Sequence, residues 1–458
     1  MLSNTTERLG TQPLGRLLIN LSIPRMVGGL TLALYSVIDT FWVSRLGHEE
    51  VAVLMVVIPY QILVNAMASA SGDGINALVS RRFGERNISV INRIAGQIFP
   101  ITFIFGLFFI IAVVFFEHQI LTLLGATTDI MEFAGKYLVV ISFGAPFIFF
   151  SRSTNDLLRG SGEAIIPTLF GILATVLNAV LDPLLIFGIG PFPEMGIRGA
   201  ALSTVISLGF GAVIGFTYII LARRSTYRIK SSDLKPEWSI IKDVYRIGFP
   251  GMVLDLSESI VFVLFNKALS EYGSLALAAG GIAMRVIDLI VTPSFAAAAA
   301  ILPIIGYCLG ARLWKRLWRA VKINLVSMVI VMFVVTIVLE IIAPHIIGLF
   351  TDDQQLFQVA IPALRILVSS IAVLGPVVLF VVTFQGLSKG KEALILSLIR
   401  QLPFFIPVLL LLNHLAGLIG VWWTYPVTDF IGFFVTGAFL LREYRKQQKS
   451  GLWLKAPN

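Results

Sequence analysis

Residues 101–116 read ITFIFGLFFIIAVVFF, an unbroken apolar run with no charge, in which only Thr102 can donate a side-chain hydrogen bond. A membrane-spanning strand alternates apolar and polar positions, and this run does not. A helix satisfies its own backbone groups and crosses the hydrocarbon core with about 20 residues. Outward from this run, breaks between apolar stretches place twelve spanning helices at 14–45, 50–80, 95–117, 132–157, 163–188, 196–222, 240–268, 274–308, 318–346, 355–384, 391–413 and 417–441. The whole composition agrees. Of 458 residues, 57% are hydrophobic and 13% charged, about half the charged share of a soluble domain. That excludes a soluble enzyme, a nucleic-acid binder with a large aqueous domain, and a disordered or fibrous chain.

The basic residues orient the spans. Of 35 Lys and Arg, 28 fall at the chain start or in and around the loops after even-numbered spans; four (Arg45, Lys136, Arg198, Lys267) fall on the other side. Three (Arg25, Arg285, Arg365) lie within spans. Basic loops stay cytoplasmic, so both termini are expected inside the cell, in a plasma or inner membrane. The net charge of +9 therefore marks cytoplasmic loops rather than nucleic acid. Cys308 is the single cysteine and excludes an intrachain disulfide. The polar start, and a first apolar stretch too long for a signal core, predict that span 1 is retained.

The halves repeat. Pro24-Arg-Met-Val matches Pro250-Gly-Met-Val, Phe83-Gly-Glu-Arg matches Leu309-Gly-Ala-Arg, and Arg159-Gly matches Gln385-Gly, all at an offset of 226; Gly196 and Gly199 match Gly417 and Gly420 at 221. Six spans per half make the repeat parallel. The predicted fold is an all-α membrane protein, twelve transmembrane helices in two six-helix bundles related by a pseudo-two-fold axis along the membrane normal. The predicted division is 1–225, a basic cytoplasmic linker 226–246, and 247–458. Such a duplication suits alternating access; the plainer alternative is a merely stable bundle.

Polar residues inside the bilayer are costly and mark function. Asp39 and Asp182 each sit about six residues before an outer helix end, roughly 9 Å deep at 1.5 Å per residue. Asn178 lies one turn deeper than Asp182 on the same face, and Ser203 and Thr204 reach matching depth from span 6. Two carboxylates, a carboxamide and a hydroxyl make a cation site, and their hard oxygens suit H⁺ or Na⁺; the plainer alternative is a polar vestibule. Tyr35, one turn from Asp39, either faces a cationic substrate or packs. Asn155 either lines a deeper cavity or serves the loop after span 4, with Asp156 beside it. Pro24 removes a backbone hydrogen bond and is either a hinge or a static kink. In the second half, Asp255 and Glu258 on span 7 and Arg285 and Asp288 on span 8 read as a compensated ion-pair network or a second coupling site. Asp73, Asp429 and Arg365 have no assignable partner. No Walker loop, metal-ligand spacing or nucleophile elbow appears, so neither an enzyme nor a cofactor is expected.

The stretches LINLSIPRM (18–26), YSVIDTFWVSRLG (35–47), VSRRFGERN (79–87), RGSGEA (159–164), LNAVLDPLLIFG (177–188) and GIRGAALSTVIS (196–207) together resemble the multidrug and toxic compound extrusion (MATE) family. The resemblance implies export of diverse, often cationic amphipathic compounds in exchange for H⁺ or Na⁺. In its DinF-like branch it implies coupling at Asp39, Asn178 and Asp182, with Thr204 as the hydroxyl and Tyr35 and Asn155 along the cavity. The NorM-like branch uses acids on helices 7 and 10. Glu258 matches the first, but span 10 here has no acid, which favours the first-half site. The family implies small-molecule partners and surrounding lipid, no nucleic acid, and a two-lobed monomer that needs no partner. Alternatives are a flippase for lipid-linked intermediates, against which the small set of intramembrane cations counts, and an intramembrane enzyme or receptor, against which the repeat counts.

Overall fold

A computed structural model describes residues 4–43, 45–46, 48–124, 126, 130–221, 227–349 and 354–449. Among the described residues the chain is helical apart from turns and short connections. Packing divides it into two units, one of residues 1–8 and 27–249, the other of 9–26 and 250–458. A short N-terminal helix, α1 (Asn4–Thr11), precedes α2 (Leu14–Val43), whose residues up to Met26 pack with the second unit and from Val27 onward with the first.

The first unit continues through α3 (His48–Gly84), α4 (Ile88–Gly96), α5 (Ile98–Leu123), α6 (Met131–Ser142), α7 (Ala145–Gly160), α8 (Ile165–Phe187) and α9 (Ile197–Leu221). It closes with the start of α10 (Trp238–Ser270), which changes unit between Phe249 and Pro250. The second unit holds the rest of α10, then α11 (Ser274–Ala299), α12 (Leu302–Gly310), α13 (Trp314–Gly348), α14 (Gln354–Val368), α15 (Ile371–Gly386) and α16 (Gly390–Lys449). Among the described residues seven helices are long and apolar enough to cross a membrane, or nine when the bent pairs α6–α7 and α14–α15 each count as one span. α16 contains two segments broken at Gly417 (φ 57°, ψ −136°). With α2 and α3 these make the twelve spans.

The repeat is visible in the backbone. α4 begins at Ile88 and α13 at Trp314; α7 runs Ala145–Gly160 and α15 Ile371–Gly386; every one of these bounds is 226 apart. Both bent pairs bend by 41°. Arg86 and Arg312 share a left-handed φ of 57° and 58°, and Gly196 and Gly417 share 54° and 57° at the drifted offset. A Cβ on Gly199 would lie 2.4 Å from the carbonyl of Leu185, and one on Gly420 1.9 Å from that of Leu412, so both halves use glycine where two backbones meet.

The stretch read as a linker, 226–246, is fastened to the first unit and runs into α10 at Trp238. Tyr227 donates to the carbonyl of Leu157 at 2.8 Å. Burial pushes its phenol above the ordinary tyrosine range, so it stays a donor. Gln97, where α4 and α5 join, donates to the carbonyls of Asp233 and Lys235 at 3.2 and 3.0 Å and accepts from the amide of Glu237 at 2.7 Å. Arg93 pairs with Glu237. These bonds satisfy backbone groups that a free loop would leave to water.

Candidate polar site in the first unit

α8 and α9 run side by side because Gly199 admits the carbonyl of Leu185. One turn further into each helix from that contact, Asp182 and Ser203 meet. The Ser203 hydroxyl donates to Oδ1 of Asp182. Asn178 Nδ2 donates to the same oxygen at 3.1 Å and lies 3.2 Å from Ser203 Oγ. Asn178, Asp182 and Ser203 are fully buried. Asp39, half-buried on α2, is near enough for the charge of Asp182 to bear on it.

Among the described residues, three buried oxygens in this group accept no hydrogen bond: Asp39 Oδ1, Asn178 Oδ1 and Asp182 Oδ2. A buried acceptor without a donor carries an uncompensated desolvation cost, larger when charged. All three are hard oxygens, and two belong to carboxylates. A cation is the species that satisfies such a set. Among the described residues no group of three or more His, Cys, Asp or Glu exists that would hold a metal ion.

The structure brings together Asp39, Asn178 and Asp182, and supplies Ser203 as the hydroxyl bonded to Asp182. Thr204, the expected hydroxyl, is buried on the neighbouring position of α9 and takes no part in the Asp182 bonds. Depth along a helix is legible from residue count; which of two adjacent hydroxyls faces Asp182 depends on rotation about the axis, and Gly199 sets that rotation. The side chain of Tyr35 lies outside the described residues. Asn155 is half-buried on α7 and joins none of these bonds. Pro24 lies inside α2, two residues before Met26, where the helix changes unit.

Asp156, beside Asn155, has a separate structural setting. It is fully buried against Gly72 of α3 and forms ion pairs with Arg152 at 3.1 Å and Arg159 at 3.2 Å.

In the second unit Asp255 on α10 and Arg285 and Asp288 on α11 are exposed, and the side chain of Glu258 lies outside the described residues. The expected ion-pair network is not closed at Arg285–Asp288, where no ion pair forms among the described residues, although the Arg285 charge bears on Asp288. Arg365 pairs instead with Glu340 at 3.7 Å. Asp429 accepts from Ser370 at 2.8 Å, at the bend between α14 and α15. Arg25 donates to the carbonyl of Ala299 at 3.2 Å.

A family model described as MatE matches residues 24–184 and 250–411. Among curated proteins the chain is 26% identical over 423 residues to the "FAD transporter" of Shewanella oneidensis, covering 92% of each. It is 26% identical over 419 residues to "Multidrug export protein MepA" of Staphylococcus aureus, covering 91% of each. A solved structure titled as the outward-facing conformation of a multidrug resistance MATE family transporter of the MOP superfamily aligns with a TM-score of 0.92 at 26% identity, covering 98% of this chain and 100% of that one.

Proposed function

The chain belongs to the MatE family of membrane transporters, and from that premise we propose that it is a secondary active exporter that moves amphipathic, often cationic compounds out of the cell in exchange for H⁺ or Na⁺. The exchange runs by alternating access through the membrane that bounds the cytoplasm, with both termini inside. Coupling resides at Asp39, Asn178 and Asp182, with Ser203 orienting Asp182. The observation that carries this reading is the trio of buried oxygens without donors on those first three residues. One cation from outside fills them and neutralises part of the paired negative charge. Its release toward the cytoplasm restores a set of acceptors that favours the next cation or a cationic substrate. Thr204, Tyr35 and Asn155 are proposed to line the path. Pro24 is proposed as the hinge through which the occupancy of Asp39, on the same helix, biases the backbone.

The test uses purified protein in liposomes with an imposed pH or Na⁺ gradient and a fluorescent lipophilic cation. Flux driven by one gradient and abolished by Asp39→Asn, with the protein still monodisperse, supports the reading and identifies the ion. Flux unchanged by the substitution moves coupling away from this site. The likeness to a flavin nucleotide transporter, together with the exposed Arg285, gives a second substrate reading. FAD transport in the same vesicles tests it.

A further inference from the structure

The inner end of α13 carries basic residues on one face. Arg312, just before the helix, and Lys315, Arg319 and Lys322 are all exposed, spaced three, four and three residues apart. Within the helix, the spacing of Lys315, Arg319 and Lys322 puts those three on one side. Among the described residues none of the four forms an ion pair or a side-chain hydrogen bond. Arg316, which points elsewhere, donates to the carbonyls of Leu9 and Gln12 at 3.0 and 2.6 Å. The same face continues at the same period into Val326, Val329, Ile330 and Phe333, all exposed. A cationic turn thus leads directly into an apolar stripe along a spanning helix.

The repeat supplies an internal comparison. At the offset of 226 the corresponding positions in the first unit are Arg86, Ser89, Arg93 and Gly96. There the face is covered. The segment 230–237 lies across it so closely that a Cβ on Gly96 would fall 2.2 Å from the carbonyl of Asp233. Glu237 on that segment pairs with Arg93. In the first unit Glu237 answers Arg93; in the second, Lys315 and Lys322 stand where the first has Ser89 and Gly96.

We propose that the face of α13 from Arg312 to Phe333 binds an anionic phospholipid of the leaflet at this end, with its phosphate on Lys315, Arg319 and Lys322 and an acyl chain along Val326, Val329 and Phe333. Charge and apolarity are both required, in that order along one helix, and a diacyl anionic lipid supplies both. The three bases span about 10 Å of helix, the depth of a headgroup region. Basic residues at a membrane surface attract anionic lipid, and their long stems let the charged ends reach the phosphate.

The experiment places a bimane label at Val329→Cys, or at its repeat counterpart Phe103→Cys, in a Cys308→Ala background. Each protein is reconstituted in phosphatidylcholine vesicles and titrated with tail-brominated phosphatidylglycerol or tail-brominated phosphatidylcholine, which quench the label on contact. The expected result at position 329 is half-quenching at about fivefold lower mole fraction of the anionic lipid. At position 103 the two lipids are expected to quench alike. Lys315→Gln/Arg319→Gln/Lys322→Gln removes the preference at 329, and Lys315→Arg/Arg319→Lys/Lys322→Arg keeps it. Added inorganic phosphate leaves the titration unchanged. Equal quenching at 329 by both lipids, a preference that survives the neutral triple variant while that variant stays monodisperse, or displacement by inorganic phosphate would each overturn the proposal. Because the readout is lipid contact, it is independent of whether transport is coupled at Asp39.

Discussion

Ser203 and Asn178 both donate to a single oxygen of Asp182, leaving the second oxygen of that carboxylate without a donor. The asymmetry ties one oxygen of Asp182 into the helix pair and leaves the other for the proposed coupling ion. A carboxylate held by two donors keeps its position as its charge is filled and emptied, which a carboxylate free to rotate would not.

Asp182→Asn keeps the shape of the side chain and removes the charge. Gradient-driven flux is expected to fall at least tenfold, with unchanged elution as a monodisperse species. Full flux in this variant would remove Asp182 from the coupling site.

Ser203→Ala separates the two candidate ions. Without the hydroxyl, negative charge on Asp182 loses a donor worth about 1.5 kcal/mol, roughly one pH unit. If H⁺ is coupled, the carboxylate holds its proton more tightly and half-maximal transport moves to higher pH. If Na⁺ is coupled, an oxygen near the ion is lost and half-maximal transport requires more Na⁺. Thr204→Val, beside it, is expected to shift either midpoint less. Equal effects from the two substitutions would count against Ser203 as the orienting hydroxyl.

Gly199→Ala drives a methyl to 2.4 Å from the Leu185 carbonyl. The helices must part, at a cost of about 1–3 kcal/mol, and Ser203 moves with α9. The variant is expected to melt at lower temperature and to show the same midpoint shift as Ser203→Ala. Gly420→Ala, its repeat counterpart, is expected to melt lower with no midpoint shift. Thermal unfolding followed by tryptophan fluorescence and the flux assay read the two effects separately.

Asp156→Ala removes the buried carboxylate that pairs with Arg152 and Arg159. Removing one member of a buried ion pair costs about 3 kcal/mol or more, so the folded yield and the melting temperature are expected to drop. Asp156→Asn keeps the volume and is expected to recover only part of the loss. A variant as stable as the parent would mean that the arginines turn to solvent at little cost.

The spans and their repeat were legible because hydropathy, loop charge and recurring motifs are properties of position along the chain. Backbone details follow the same offset, as the left-handed Arg86 and Arg312 show. Depth along one helix was legible too, since residue count fixes height, and Asn178, one turn from Asp182, does bond to it. Rotation was not. α9 is apolar on all sides, so nothing in its sequence distinguishes the face of Ser203 from that of Thr204 until Gly199 is seen against Leu185. The pairings of Asp156 with Arg152 and Arg159 follow from a helical spacing of three and four, and could have been read there. Those of Arg365 with Glu340 and Ser370 with Asp429 join separate helices, and no local pattern announces them.

The grouping of residues 9–26 with the second unit has a consequence for biosynthesis. Ser22 and Arg25 bond to the carbonyls of Ala297 and Ala299, 275 and 274 residues later, and Arg316 bonds back to Leu9 and Gln12. At about 5–20 residues per second, the ribosome delivers those partners some 15–55 seconds after the first span has emerged. The opening segment, residues 9–26, is thus made first and completed among the last. A nascent chain stalled ahead of Ala297 holds its first helix with half its length still waiting for neighbours.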